Sequence, residues 1–136
     1  MDSRSESDTI AAGRDLGRIV AAGTTVLLYG ELGAGKTAFV RGLAEGLGLD
    51  PDQVTSPTFT IVQEYRGSNV TLQHVDLYRL NPAEVTDIAL EDLAGDHTVV
   101  AIEWAERLPC APVRPVIEVR LKHVPDGRRL TIAQSA

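Results

Sequence analysis

Gly30-Glu31-Leu32-Gly33-Ala34-Gly35-Lys36-Thr37 is the run in this 136-residue chain whose residue types and spacing most directly specify chemistry. It fits G-x-x-x-x-G-K-S/T without a mismatch, and composition alone would yield roughly 0.002 such matches in a chain of this length. Glycines let the backbone curl so that successive N–H groups face an anion, and the positive end of a following helix adds to the attraction. Lys36 is then placed to bridge terminal phosphates, and the Thr37 hydroxyl to ligate Mg²⁺. Arginine outnumbers lysine 11 to 2, yet this position holds lysine. A compact ammonium suits clustered phosphates better than a broad guanidinium fork. The expected ligand is ATP or ADP with Mg²⁺, held by Glu31, Leu32, Gly33, Ala34, Gly35, Lys36 and Thr37.

Val99-Val100-Ala101-Ile102-Glu103 is an apolar run ending in a carboxylate. In phosphate-loop proteins such a strand lies beside the loop, and its acid holds Mg²⁺ directly or through water. Glu103 is therefore a metal and catalytic candidate, against the plainer alternative of a strand-end glutamate facing solvent. Trp104, the one tryptophan, follows it and reads as a packing anchor, a role compatible with lying near the nucleotide. In His74-Val75-Asp76-Leu77-Tyr78-Arg79, an extended backbone puts His74, Asp76 and Tyr78 on one face. Three polar groups there suggest the lining of a site, with Asp76 a catalytic candidate that orients a water or polarises a metal-bound one. The hydroxyls of Thr55-Ser56-Pro57-Thr58-Phe59 could reach a γ-phosphate as a switch loop does, or form an ordinary Ser-Pro turn.

These groups need elements to hold them. Ser7 or Asp8 can cap a first helix carrying Ile10, Leu16, Ile19 and Val20 and ended by Gly23. Residues 25–29 read as a buried strand, and 36–47 as a helix with Phe39, Val40, Leu43 and Leu47 on its apolar side. Asp50-Pro51-Asp52 breaks the chain. Residues 59–65 and 70–77 are β-rich and separated by a hairpin turn, and Asn81-Pro82 opens a helical stretch to about residue 93. A second buried parallel-type strand covers 98–103, and 116–122 with 129–133 form a closing hairpin around Pro125-Asp126-Gly127. Interspersed helices and strands predict an α/β domain spanning 1–136. The expectation is a P-loop NTPase fold, with a mixed, mostly parallel sheet flanked by helices and a C-terminal hairpin.

Composition excludes several classes. A hydrophobic fraction of 43% and a charged fraction of 24% are those of an ordinary globular protein. No apolar run approaches the roughly 18 residues of a membrane span, so no membrane association is expected. The N-terminus is polar, unlike a secretory signal. Cys110 is the single cysteine, lies in a loop-like Pro-rich run, and can form neither an internal disulfide nor a cysteine metal cluster. A cytoplasmic location is the expectation. The net charge of −6 argues against tight, independent binding of nucleic acid. Lys122, His123, Arg128 and Arg129 form the nearest thing to a basic cluster and read as solvated hairpin charges.

Taken together, the phosphate loop, Ser56-Pro57-Thr58-Phe59-Thr60, His74-Val75-Asp76-Leu77-Tyr78-Arg79-Leu80 and Ile102-Glu103-Trp104 closely resemble the TsaE family in order and spacing. That family comprises bacterial ATPases of tRNA threonylcarbamoyladenosine biosynthesis, and the resemblance runs over essentially the whole chain. It implies a seven-stranded sheet and a weak ATPase needed to make threonylcarbamoyladenosine next to the tRNA anticodon. It also implies a TsaD–TsaB transferase complex as the partner that the ATPase regulates or resets, with tRNA met only through that complex. By position, Lys36 and Thr37 match phosphate and Mg²⁺ ligands, Glu103 an Mg²⁺ ligand, and Asp76 a group supporting hydrolysis. Thr9 and Arg128 match a threonine and an arginine near the nucleotide. Two other functions stay open on the residues alone. One is a small-molecule kinase, for whose lid and substrate insertion 136 residues leave little room. The other is a nucleotide-gated binding module without turnover.

Overall fold

The computed structural model describes residues 2–3, 5–31, 35–54, 62–87, 93, 95–109, 112 and 115–135. Leu32, Gly33, Ala34, the segment 55–59 and Cys110 lie outside the described residues.

The chain opens with β1 (Asp2–Ser3), which no apolar pattern announces, and α1 (Glu6–Ile19). Ser5, not Ser7 or Asp8, caps α1, its hydroxyl oxygen accepting from the Asp8 N–H at 3.2 Å. The helix also stops at Ile19, short of Gly23, and Ile19 is 80% exposed instead of packed. Its core stripe is Thr9, Ala12, Gly13, Leu16 and Gly17.

β2 (Thr25–Gly30) leads into α2 (Lys36–Gly46), whose first N–H bond runs from Phe39 to the Gly35 carbonyl at 3.0 Å. Gly35 sits at φ +99, a left-handed conformation that glycine adopts without penalty. A short 3₁₀ turn, Pro51–Gln53, follows, then β3 (Val62–Arg66) and β4 (Thr71–Asp76). α3 (Pro82–Asp87) begins with a reciprocal capping box. The Asn81 Oδ1 accepts from Glu84 N at 2.9 Å, and Glu84 Oε1 accepts from Asn81 N at 3.2 Å. β5 (Thr98–Glu103), a 3₁₀ turn at Ala105–Arg107, β6 (Val116–Val124) and β7 (Gly127–Ser135) complete the chain.

Seven strands form one sheet in the order β1-β7-β6-β2-β5-β4-β3. The four central strands, β6, β2, β5 and β4, are mutually parallel, and the antiparallel pairs lie towards the edges. This is the expected mixed α/β fold with a C-terminal hairpin. Alternation along the strands divides the core between the two faces. Val26, Leu28, Leu72, Val99, Ala101 and Val119 pack with α1 and α2. Leu27, Val75, Val100 and Ile102 pack with Leu77, Leu80, Val85 and Ala105 on the opposite face.

α1 and α2 meet through glycine at unusually short range. A Cβ on Gly13 would fall 2.2 Å from the Phe39 oxygen, and one on Gly46 would fall 2.2 Å from the Arg14 oxygen. Gly17 and Gly42 face the partner backbone in the same way. Two Gly-x-x-x-Gly spacings, 13/17 and 42/46, therefore set how closely α1 lies on the helix that opens at Lys36. Among the described residues no helix is long and apolar enough to cross a membrane.

Candidate functional site

Parallel pairing aligns the strand ends that matter. Leu28 of β2 is opposite Glu103 of β5, and Asp76 of β4 is opposite Glu103 on its other side. Two carboxylates thus end adjacent parallel strands, beside the start of α2. By strand alternation Glu103, His74 and Asp76 share the sheet face on which α2 packs.

Glu103 is only 3% exposed, which excludes the solvent-facing alternative. Its two carboxylate oxygens accept from the Thr37 hydroxyl at 3.3 and 3.1 Å, and Oε2 also lies 2.5 Å from His74 Nε2. The expected metal candidates, Thr37 and Glu103, therefore meet directly. A hydroxyl and a carboxylate are hard oxygen donors, suited to Mg²⁺, which takes few protein ligands and completes its shell with water and phosphate oxygens. No cluster of three or more His, Cys, Asp or Glu suited to a metal occurs among the described residues.

Lys36 is buried and donates to the Gly30 carbonyl at 2.6 Å and the Glu31 carbonyl at 2.9 Å. Its Nζ lies 4.0 Å from the centroid of the Trp104 ring, a cation–π contact. Burial pushes its pKa below the usual lysine value, against the opposing pull of Glu103 and more weakly of Glu106, Asp76 and Glu31. Glu31 enters the site through its main-chain carbonyl, and its side chain is exposed.

Asp76 is half-buried, and its Oδ1 accepts from Tyr78 N at 2.9 Å. Burial raises its pKa above the usual aspartate value, that hydrogen bond opposes the rise, and the Glu103 charge adds to it. The strand ends at Asp76, so Tyr78 does not continue the polar face on which the sequence pattern placed it. The Asp76 carboxylate caps the turn instead, and the Tyr78 ring lies tilted against Trp104 with centroids 4.9 Å apart. His74 is fully buried, not on an exposed polar face, and meets the site through Glu103.

Thr9 and Arg128 reach the loop from opposite ends of the chain. A Cβ on Gly35 would lie 3.5 Å from Thr9 Cγ2 and 3.5 Å from Arg128 Cδ, so both side chains pack against the turn before Lys36. The basic cluster of the hairpin is divided by its register: Lys122 pairs with Arg129 and His123 with Arg128, on alternate faces.

The sequence pattern alone did not assign His74 to Glu103. A register of two strand residues would have shown it, since His74 pairs with Ala101, two positions before Glu103. Trp104 carries more than packing: at φ 61 and ψ 45 it is the one non-glycine residue with positive φ among those described.

The TsaE model, described as threonylcarbamoyl adenosine biosynthesis protein TsaE, matches residues 3–130. The tRNA threonylcarbamoyladenosine biosynthesis protein TsaE of Treponema pallidum is 41% identical over 133 residues, covering 96% of this chain and 97% of that protein. Its counterpart in a Nostoc species is 41% identical over 128 residues, covering 91% of this chain and 78% of the relative. The crystal structure of a Bacillus YdiB protein superposes with a TM-score of 0.74 at 29% identity, covering all of this chain and 84% of that one. With the model matching nearly the whole length and relatives this similar, the chain belongs to the TsaE family of threonylcarbamoyl adenosine biosynthesis proteins.

Proposed function

We propose that this protein is a weak Mg²⁺-dependent ATPase that serves threonylcarbamoylation of the tRNA adenosine next to the anticodon by regulating or resetting the TsaD–TsaB transferase complex. The observation that carries the ATPase reading is the Thr37–Glu103 contact, with oxygens 3.1 and 3.3 Å apart, at the mouth of a loop whose lysine is buried beside it. The names of the relatives support the pathway. The resemblance of the motifs supports the partner.

In this reading Lys36 exchanges the Gly30 and Glu31 carbonyls for phosphate oxygens, which match its charge better than neutral acceptors do. Thr37 and Glu103 hold Mg²⁺, which when bound neutralises charge on the transferring phosphate. Asp76, across the ladder from Glu103, orients the attacking water and takes its proton. Thr9 and Arg128 border the loop at Gly35 and steady the nucleotide there. With a net charge of −6 the chain meets tRNA through the transferase complex and not by itself.

The test is co-purification with the TsaD–TsaB pair, followed by phosphate release with and without it. The expected result is slow ATP hydrolysis alone and faster hydrolysis with the pair. Hydrolysis that depends instead on one added metabolite would replace the proposal with a kinase, and nucleotide binding without turnover under any condition would leave a binding module.

A further inference from the structure

His74 has no part in the roles proposed so far, yet it touches the most constrained group in the site. It lies on β4, its side chain is fully buried, and Nε2 is 2.5 Å from Glu103 Oε2. An ionised carboxylate, the form that binds a metal, can only accept a hydrogen bond, so a neutral imidazole serves it by carrying its hydrogen on Nε2. Oε2 thus receives both the imidazole and the Thr37 hydroxyl, while Oε1 receives the hydroxyl alone. Two groups, one on β4 and one on α2, fix the orientation of a carboxylate at the end of β5.

A buried histidine is most often a satisfied core residue, bonded to main chain. Here the partner is the acid proposed for Mg²⁺, and Nδ1 has no hydrogen-bond partner among the described residues. The imidazole is therefore directed at Glu103 through its one bonded nitrogen. Rigid β-ladder pairing of His74 with Ala101 sets that direction.

We propose that His74 is a positioning residue, whose Nε2–H holds the Glu103 carboxylate towards Thr37 and thereby sets how strongly Mg²⁺ tightens nucleotide binding. The proposal rests on the reading of Thr37 and Glu103 as the metal ligands. Hydrogen-bonding partners behind metal ligands typically contribute about 10- to 100-fold in metal affinity.

Calorimetry of the full chain with ADP, in excess Mg²⁺ and again in EDTA, separates the two claims. Mg²⁺ should tighten ADP binding to the wild type. In His74→Leu that tightening should shrink about tenfold or more, towards none, with affinity in EDTA unchanged. In His74→Gln, whose side-chain amide can donate to the same oxygen, most of it should return. Full Mg²⁺ tightening in His74→Leu, or equal loss in both variants, would overturn the role of His74 alone. No Mg²⁺ tightening in the wild type would instead overturn Thr37 and Glu103 as metal ligands, and this inference with them. Should His74→Leu fail to fold, ring ¹⁵N spectra of the wild type decide, with the signals assigned by their loss in His74→Gln. A hydrogen on Nε2 is expected, and a bare Nε2 with the hydrogen on Nδ1 overturns the proposal.

Discussion

Replacing Gly42 by alanine sets two effects of opposite sign against each other. In a helix interior alanine is favoured over glycine by about 1 kcal/mol, because glycine loses more backbone freedom on folding. At the crossing with α1, however, the new Cβ would lie 1.9 Å from the Ile10 oxygen, 2.8 Å from the Ile10 carbonyl carbon and 2.9 Å from Arg14 N. Carbon and carbonyl oxygen ordinarily approach to about 3.3 Å, so the helices must part by on the order of 1 Å. The obstacles are main-chain atoms, which no rotamer change can move aside.

Parting the helices also loosens the apolar cluster shared by Ala12 and Leu16 of α1 and by Phe39, Val40 and Leu43 of α2. Overpacking of this kind costs about 1–3 kcal/mol, and the upper part of that range fits a rigid obstacle. Subtracting the propensity gain leaves a net loss of about 1–2 kcal/mol. For a chain of this size that lowers Tm by roughly 3–10 °C. Urea unfolding followed by Trp104 fluorescence should show a lower midpoint with an unchanged slope. The separation should also draw Thr9 away from Gly35 and weaken ADP binding beyond the stability loss. A midpoint equal to or above that of the wild type would refute the close crossing, since propensity would then have prevailed.

The remaining expectations concern the site. In a thermal melt, ATP at about 100 times its Kd should add about 2.7 kcal/mol to the wild type and nothing to Lys36→Ala, and an equal shift in both would remove Lys36 from the site. Mg²⁺-ADP should change the fluorescence of Trp104, because the Lys36 ammonium against its ring is asked to move, and the change should vanish in Lys36→Ala. Asp76→Asn should keep nucleotide affinity but slow partner-stimulated hydrolysis by about 10²- to 10⁴-fold. The wild-type rate should fall on acidification at a pH above the ordinary aspartate value of 3.8, since burial raises the Asp76 pKa and only the carboxylate can act as base. Linkage adds a stability test. As pH rises from 3.8 to the raised value, the unfolded chain loses this proton before the folded one, so the Asp76 contribution to stability falls. Asp76→Asn should therefore be more stable than the wild type at neutral pH and no more stable below pH 3.8, by urea midpoints at the two values.

Much of this arrangement was legible in the sequence where chemistry and period coincide. The run 98–103 alternates between two buried faces and ends in an acid, and the strand is found at those residues. The turn into α2 was marked by Gly35 and Lys36, because few other residues tolerate those positions. What sequence did not disclose depends on register and on contacts far apart in the chain. His74 and Glu103 are 29 residues apart and meet only because β4 and β5 pair in one register. Tyr78 leaves the strand face because the Asp76 carboxylate bonds the following main chain, a local competition that period-two counting ignores. The helix crossing was in principle readable from the glycines at 13, 17, 42 and 46, whose spacing matches a close approach. Strand β1 has two residues and joins the sheet only through β7, so no local pattern could identify it.

The departures from local preference in this protein gather at the same strand ends. Trp104 has a left-handed backbone that a bulky side chain adopts at a cost of about 1–3 kcal/mol. The geometry follows from two demands on its neighbours. Glu103 must stay in the ladder, its carbonyl accepting from Leu77 N at 3.2 Å, while Ala105 must turn at once into the opposite core cluster. Glycine at position 104 would meet both demands without strain. It would, however, leave the Lys36 ammonium without the ring that lies against it at 4.0 Å and Tyr78 without the ring it lies against. The side chain at this position is thus decided by the lysine it covers and not by the backbone it occupies. Lys36 and Asp76, on either side, both have their charged forms disfavoured by burial. Strain and disfavoured charge gather around the Thr37 hydroxyl and the Glu103 carboxylate, which is what the proposed site for a cation and an anionic ligand would require and what a core optimised only for stability would lack.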